Sequence, residues 1–522
     1  PKDIDAVRAV ADKEMRAPSG PASTINPAMA PGGLFAANAG GRSPVVPVKY
    51  FDELRKPADR DPRGYIIPTN QADFPTAVKF INALQRSGII VHRATADFTV
   101  QGKSYPKGSL VVKTAQAFRP HVIDMFEPQD HPNDFASPGG PPIPPYDNAG
   151  WTLAYQMGVV FDRVLDGFEG PFERIDPGNL LKPQAATLAV PGAGGYILPA
   201  SQNDSVLVAN RVLKAGGEVH RITSGPAAGG YYIPATAAST PVVTKAASEL
   251  GVSVLSGSKP AEATQLRAMR IGLADTYGGS MPSGWIRWIL EQFEFASVEQ
   301  VYPQTIDAGN LNAKYDVLIF ADGILPENDG PPGGLFNQRQ PSAERAGEFA
   351  PRLGRYSVAK SVPAIKAFVE AGGKAIAIGD STRVGHHLDL VEDHLVERTV
   401  AGPKALGRDK YYVPGSVLRA EADTTHPLAW GVNKGVDVLF DNSPVFELKP
   451  SAALHGVTPV AWFPTATPLR SGWAWGQHYL EGGVAVAEAK IGQGRLMLFG
   501  PEITFRAQPH GTFKFLFNGI YR

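Results

Sequence analysis

Apolar and polar positions alternate along much of the chain in the order typical of strands and helices. Short apolar runs, which are typical of buried strands, occur at 270–274 (RIGLA), 316–321 (DVLIFA) and 374–378 (KAIAI). Between such runs, apolar residues lie three or four positions apart, as on one face of a helix. In segment 362–371 these residues are Ile365, Phe368 and Val369, and Gly372 follows as a stop signal. The alternation predicts a doubly wound, parallel α/β sheet in this half of the chain.

One strand–helix–strand pattern occurs twice. Residues 64–93 (GYIIPTNQADFPTAVKFINALQRSGIIVHR) match residues 195–221 (GYILPASQNDSVLVANRVLKAGGEVHR). We therefore predict two similar βαβ-like lobes that pack on each other. His92 and His220 should occupy equivalent places in them. For both histidines we favour a structural place at a strand edge over a role as paired ligands or acid–base groups.

Shifts in composition divide the chain into four predicted parts. Segment 17–47 is rich in Ala, Gly, Pro and Ser with little charge, which indicates a linker or surface arm. A Pro-rich segment, 137–151, separates the two repeats, and the pattern at 481–500 predicts a hairpin with Gly492 and Gly494 at its turn. The predicted parts are an arm at 1–60, a first α/β lobe at 61–190, a second lobe at 191–266, and an α/β domain with a β-rich insertion at 267–522.

The balance of charges and the absence of cysteine exclude several classes of function. The chain has 50 basic and 50 acidic residues among 522 and no run of Lys and Arg, so we predict neither nucleic-acid binding nor attraction to an anionic membrane. No apolar run is long enough to span a bilayer. Cysteine is absent, which excludes disulfides, thiolate zinc sites and a cysteine nucleophile. This composition, and a start at Pro1, suggest a processed protein that is secreted or periplasmic.

An aspartate follows each of the three predicted parallel strands: Asp275, Asp322 and Asp380. Because the carboxyl ends of parallel strands share one edge of a sheet, we expect these carboxylates to lie along that edge. There they could hold a divalent ion or form an acid–base pair. The alternative, which we favour, is that each caps the turn or helix that follows it.

Ser381 lies in the turn after the third strand, where a sharp bend can expose a nucleophile. The pattern Gly-x-Ser-x-Gly fails at Arg383, and His386 and His387 are close in sequence only. If the cleft is idle, replacing Ser381 by Ala should change stability by no more than about half a kcal/mol, as surface substitutions usually do.

Two further motifs have a bearing on ligand binding. The loop TYGGSMPSG (276–284) could hold an anion at a helix N-terminus, but it lacks the phosphate-binding patterns, so we expect it only to turn the chain. His394, Glu397 and His510 could form a zinc site with two histidines and a carboxylate, but such short patterns arise by chance. We predict no metal site and no cofactor in this chain.

Several long strings carry a resemblance to a known family, among them MPSGWIRWILEQF, DNSPVF and GPEITFRAQPHGTFKFLFNGIY. They resemble the C-terminal half of large bacterial zinc carboxypeptidases of the carboxypeptidase A-like family. In that family a catalytic zinc domain precedes this region, so the resemblance implies zinc only there and transfers no ligand to this sequence. The implied partner is that zinc domain, in the same precursor or a separate chain, with peptides as expected ligands.

The part 267–522 is also similar to class I glutamine amidotransferase-like domains. Those proteins carry a nucleophilic cysteine on the turn after a central strand, and here that turn reads Gly379-Asp380-Ser381-Thr382. The resemblance therefore implies a degenerate relative kept for binding or support. Our first hypothesis is a non-catalytic accessory portion of an exported metallocarboxypeptidase-like protein. The alternative is a hydrolase or ligand-binding enzyme that uses Asp380, Ser381 and a nearby histidine.

Overall fold

The computed structural model describes residues 60–176, 178–183, 194–330 and 340–522. The predicted arm at 1–60 lies outside the described residues except for Arg60. Two five-stranded sheets and one large mixed sheet, with helices between strands, confirm the predicted α/β class. Among the described residues, no helix combines the length and apolar character that crossing a membrane would require.

The first lobe is built on a five-stranded sheet with a small hairpin beside it. Its helices are α1 (Phe74–Arg86), α2 (Arg119–Phe126) and α3 (Leu153–Gln156). Its strands are β1 (Gly64–Ile67), β2 (His92–Ala94), β3 (Phe98–Val100), β4 (Lys103–Tyr105), β5 (Leu110–Lys113), β6 (Asp162–Val164) and β7 (Phe172–Arg174). The sheet order is β6-β1-β5-β2-β7.

The second lobe repeats this arrangement. Its helices are α4 (Asp204–Lys214) and α5 (Ser239–Leu250). Its strands are β8 (Gly195–Leu198), β9 (His220–Ile222), β10 (Tyr231–Pro234), β11 (Leu255–Gly257) and β12 (Ala263–Gln265), in the order β11-β8-β10-β9-β12.

The predicted repeat is confirmed, with one difference in pairing. The two repeat strands of each lobe do not pair with each other, because a third strand (β5 or β10) lies between them and is antiparallel to both. His92 and His220 each begin the second repeat strand, and each faces the inserted strand, opposite Val111 and Tyr232 respectively. Their equivalent places are therefore confirmed.

The C-terminal part contains the large mixed sheet. Its helices are α6 (Met281–Gln292), α7 (Pro303–Asp307), α8 (Ala343–Ala346), α9 (Ser361–Glu370), α10 (Arg383–His387) and α11 (Phe513–Tyr521). The strands before the insertion are β13 (Arg270–Ala274), β14 (Ser297–Val301), β15 (Val317–Phe320) and β16 (Lys374–Ile378). The later strands are β17 (Glu392–Asp393), β18 (Val396–Thr399), β19 (Gly402–Ala405), β20 (Ser416–Ala422), β21 (Gly435–Phe440), β22 (Phe446–Glu447), β23 (Val457–Trp462), β24 (Leu469–Ser471), β25 (Val484–Ile491) and β26 (Gly494–Phe499).

Parallel and antiparallel halves meet within this sheet, whose order is β14-β13-β15-β16-β26-β25-β23-β20-β21. The pairings from β14 to β26 are parallel, and those from β26 to β21 are antiparallel. The predicted hairpin is confirmed, since β25 and β26 pair up to Ile491 opposite Gly494. Residues 392–491, which contain β17 to β25, therefore extend the parallel sheet, and we call them the β-rich extension.

Hydrophobic packing joins the second lobe to the C-terminal part. One continuous core runs from second-lobe residues such as Leu198 and Val212 to Phe499 and Phe517 at the end of the chain. The first lobe has a separate core around Tyr65, Phe80 and Phe126, which are fully buried or nearly so. Burial of such side chains is the main stabilising contribution to each body.

Polar contacts and one aromatic cluster hold the first lobe in place. Between the two lobes, Lys79 Nζ lies 2.6 Å from Asp204 Oδ1. The Pro-rich segment lies along the β-rich extension, where Gly150 N donates to Gly415 O at 3.0 Å. Near it, Trp473 is buried, and its indole Nε1 donates to Asn133 Oδ1 at 2.8 Å.

Candidate functional site

The three predicted aspartates follow the carboxyl ends of the parallel strands. The strands β13, β15 and β16 are adjacent and parallel, as predicted. Asp275 follows β13 directly, Asp322 lies two residues beyond β15, and Asp380 lies two residues beyond β16. The rule that parallel strands present their carboxyl ends at one edge thus brings these three residues to a common side of the sheet.

Asp275 is engaged in fixing the loop that follows it. Its Oδ1 accepts hydrogen bonds from Thr276 N at 2.8 Å and Ser280 N at 2.7 Å, and its Oδ2 accepts one from the Gln300 side chain at 2.7 Å. Asp275 is also buried. The carboxylate therefore acts as a cap for the turn before α6, which is the role that we favoured from sequence. Residues 276–280 turn the chain, and the rest of the predicted loop, 281–284, forms the first turn of α6.

Ser381 does not have the geometry of a nucleophile. Its side chain is fully buried, its hydroxyl donates to Ala321 O at 2.5 Å, and it accepts from Ile324 N at 3.1 Å and Leu325 N at 3.0 Å. A nucleophilic serine needs a base that removes its proton, whereas here the proton is given to a backbone carbonyl. The premise that Ser381 lies at the surface is wrong, because the hydroxyl is needed to satisfy buried backbone groups.

The histidines near Ser381 in sequence have other partners. His386 Nε2 lies 3.1 Å from Asp393 Oδ1, and His387 Nε2 lies 3.1 Å from the carbonyl of Pro326. The structure therefore shows a histidine beside a carboxylate, but does not join that pair to Ser381.

The zinc set considered from sequence is not assembled. Glu397 pairs with Lys410 at 2.5 Å, and the ring of His510 packs on Phe513 with 4.6 Å between centroids. Over the described ranges, no three or more His, Cys, Asp or Glu side chains are arranged to hold a metal ion.

Asp322 and Asp380 are joined through the backbone of the turn. Asp322 Oδ1 accepts a hydrogen bond from Asp380 N at 2.7 Å. Gly379 has φ +57°, and a Cβ at this position would lie 2.1 Å from Asp322 Oδ1. Only glycine allows this approach. Burial raises the pKa of Asp322 above its ordinary value, and the charges of Asp380 and Asp441 raise it further.

Glu502 completes an acidic group that the sequence analysis missed. It lies three residues beyond β26, the strand beside β16. Burial raises its pKa to about 8, and the neighbouring carboxylates of Asp322, Asp441 and Asp380 contribute to the shift. At neutral pH this carboxyl is therefore mostly protonated, and can donate a proton or a hydrogen bond where an ordinary glutamate cannot.

The Pro-rich segment reaches this edge through an ion pair. Arg506 donates to both carboxylate oxygens of Asp147, at 2.8 and 2.7 Å. Arg506 and Ala507 have φ of +49° and +55°, a conformation that costs non-glycine residues free energy and is often found at functional sites. The edge thus carries strained backbone as well as a perturbed carboxyl.

Comparisons with known proteins give structural neighbours only. No family model matches the chain, and no curated protein sequence matches it. A protein from Bacteroides uniformis described as ThuA-like is 10% identical, with 50% of this chain and 95% of that chain covered and a TM-score of 0.28. A Thermoplasma acidophilum protein described as part of a GMP synthase is 9% identical, with coverage of 49% and 94% and a TM-score of 0.28. PurLQS from Thermotoga maritima is 13% identical, with 48% of this chain and 98% of that chain covered and a TM-score of 0.28.

With TM-scores of 0.28, these similarities carry no inference about the fold or the activity of this chain. The α/β assignment rests on the strand order and pairing described above.

Proposed function

We propose that this chain is the non-catalytic accessory portion of an exported zinc metallocarboxypeptidase-like protein. In this proposal it supports, or presents peptide substrate to, a zinc domain outside the chain, and it works in a secreted or periplasmic setting. The observation that carries the proposal is the Ser381 hydroxyl, which is committed to three backbone groups. The turn that bears the nucleophile in amidotransferases therefore has neither a cysteine nor an available serine.

The contacts of the first lobe support a role as a rigid platform. Ser471 Oγ, on the β-rich extension, lies 2.9 Å from both the Thr152 hydroxyl and the Gln129 side chain of the first lobe. Gly472 N donates to Gln129 O at 2.8 Å. Buried side-chain networks of this kind fix the relative position of the bodies that they join.

The proposal is tested first by activity. The purified chain should give no turnover above the buffer rate on panels of ester, amide and peptide substrates, because the turn has no cysteine and the hydroxyl of Ser381 is committed to backbone groups. Turnover that persists after zinc chelation, and that elutes with the protein on size exclusion, would contradict the accessory role.

The second test concerns the expected partner. Intact mass measurement of the protein from its native source should show either a polypeptide larger than 55.6 kDa or a zinc-containing chain that co-purifies with it. Native protein of 55.6 kDa with no co-purifying zinc protein would overturn the partner assignment.

Glu502 favours a second candidate, a hydrolase or ligand-binding enzyme at the carboxyl edge. Titratable groups with strongly shifted pKa values cluster at functional sites, and a carboxyl with a pKa of about 8 is suited to general acid catalysis. If the substrate panels do reveal turnover, this candidate requires that Glu502→Gln abolish it while Glu344→Gln, at an exposed position, leaves it unchanged.

A further inference from the structure

A cavity of about 570 Å³ lies between the first lobe and the β-rich extension. Its volume is within the range of small-molecule sites. The first lobe and the extension each contribute three of the residues used here: Tyr155, Phe161 and Arg163 from the lobe, and Arg419, Asp437 and Arg470 from the extension. None of the acidic residues described above lines this cavity, and it is not used by the function proposed above.

Two arginines in this cavity share one carboxylate. Arg419 binds Asp437 in a bidentate manner, with Nε to Oδ1 at 2.6 Å and Nη2 to Oδ2 at 2.9 Å. Arg470 Nε lies 3.3 Å from the same Oδ1. Among the residues that the structure describes, two guanidinium groups therefore face a single negative charge, and one positive charge has no counterpart.

The other two charged side chains among the described residues that line the cavity, Glu127 and Arg163, pair with each other. Arg163 Nε contacts both oxygens of Glu127, at 2.8 and 3.1 Å, and the Tyr65 hydroxyl donates to Glu127 at 2.8 Å. The positive charge left over thus belongs to Arg419 and Arg470.

Arg470 is oriented by stacking and has unused donors. Its guanidinium carbon lies 4.5 Å from the centre of the Tyr155 ring. Its Nε is buried and makes no hydrogen bond within the described part of the chain. A planar guanidinium held on an aromatic ring is preorganised to bind a carboxylate through two parallel hydrogen bonds.

We propose that this cavity binds a small organic carboxylate that carries an aromatic or aliphatic group. The carboxylate lies at Arg470 and Arg419 and replaces the missing negative charge, and the apolar group packs against Phe161 and Tyr155. The C-terminal residue of a peptide has this chemistry. The binding site and the accessory role are tested by different measurements, so either can fail while the other stands.

Calorimetric titration with N-acetylphenylalanine and with its C-terminal amide tests the ligand class. The acid should bind at least tenfold more tightly than the amide, because only the acid supplies the second negative charge. Equal affinity for the two compounds would overturn the proposal. Inorganic phosphate that binds as tightly as the acid would also overturn it, since the site would then recognise any oxyanion.

Substitutions test the residues. Arg470→Gln should weaken binding of N-acetylphenylalanine at least tenfold, whereas Arg398→Gln, at an exposed arginine paired with Glu447, should leave it unchanged. Asp437→Asn should strengthen binding, because the ligand then faces both arginines without competition. Equal affinity of the two arginine variants would contradict the assignment. If Arg470→Gln does not fold, the Asp437→Asn variant provides the test. Folded Asp437→Asn protein that binds N-acetylphenylalanine no more tightly than the wild type would refute the site.

Discussion

At the scale of single residues, the Ser381 hydroxyl ties the turn after β16 to the backbone after β15. Ser381→Ala should lower the free energy of unfolding by about 1–3 kcal/mol, because it leaves the buried N–H of Leu325 unsatisfied and removes one of two hydrogen bonds from Ile324 N and from Ala321 O, which keep only their mutual bond of 3.3 Å. Chemical denaturation measures the loss, and hydrogen exchange at these two amides should accelerate. Ser256→Ala, at an exposed site, should stay within about 0.5 kcal/mol of the wild type. Equal stability of both variants would contradict this account of Ser381.

Glu502 should make stability depend on pH. Its pKa is raised from 4.5 to about 8 in the folded protein, so between these values the folded state binds a proton that the unfolded state has lost. The contribution of this group to stability therefore falls as pH rises through the window, by at most about 1.4 kcal/mol per pH unit. Glu502→Gln should remove that slope and raise the melting temperature relative to wild type most at pH 8. The difference in melting temperature between Glu344→Gln and wild type should not vary between pH 5 and 8. If the difference for Glu502→Gln does not vary either, the Glu502 carboxyl is ionised throughout this range.

At the scale of elements, local apolar patterns predicted the central strands well. β13 and β16 have the predicted bounds because their side chains are almost entirely buried, and a run of buried residues is visible in sequence. β14 was missed because it is an edge strand with polar residues such as Glu299 and Gln300. The inserted strands β5 and β10 were also missed, since pairing between distant segments leaves no local signal.

The same limit applies to the candidate site. The alignment of Asp275, Asp322 and Asp380 at one edge followed from strand–helix alternation. Glu502 obeys the same rule, but the hairpin that contains β26 gave no indication that this strand pairs with β16. The cavity arginines could not be found from sequence, because Tyr155 and Arg470 are more than 300 positions apart and meet only in the folded chain.

At the scale of the whole molecule, Trp473 anchors the first lobe to the C-terminal part. Its ring stacks on His131 at 5.1 Å between centroids and packs edge-on against Phe135 and Tyr412, at 5.8 and 5.3 Å. The first lobe has a core of its own, so its attachment depends on such contacts more than on shared burial.

Trp473→Ala should therefore destabilise the junction more than either body. Removing a buried tryptophan costs about 3–5 kcal/mol, and here it also removes the hydrogen bond to Asn133. Calorimetry should show the transition of the first lobe moving to lower temperature and separating from that of the C-terminal part, and limited proteolysis should cut within 129–150 sooner. Trp288, which is 45% exposed on α6, provides the matched control, and Trp288→Ala should leave both measurements nearly unchanged. If Trp473→Ala instead lowers the temperature of a single unfolding transition, the first lobe and the C-terminal part are coupled through other contacts. The anchoring role of Trp473 would then be wrong.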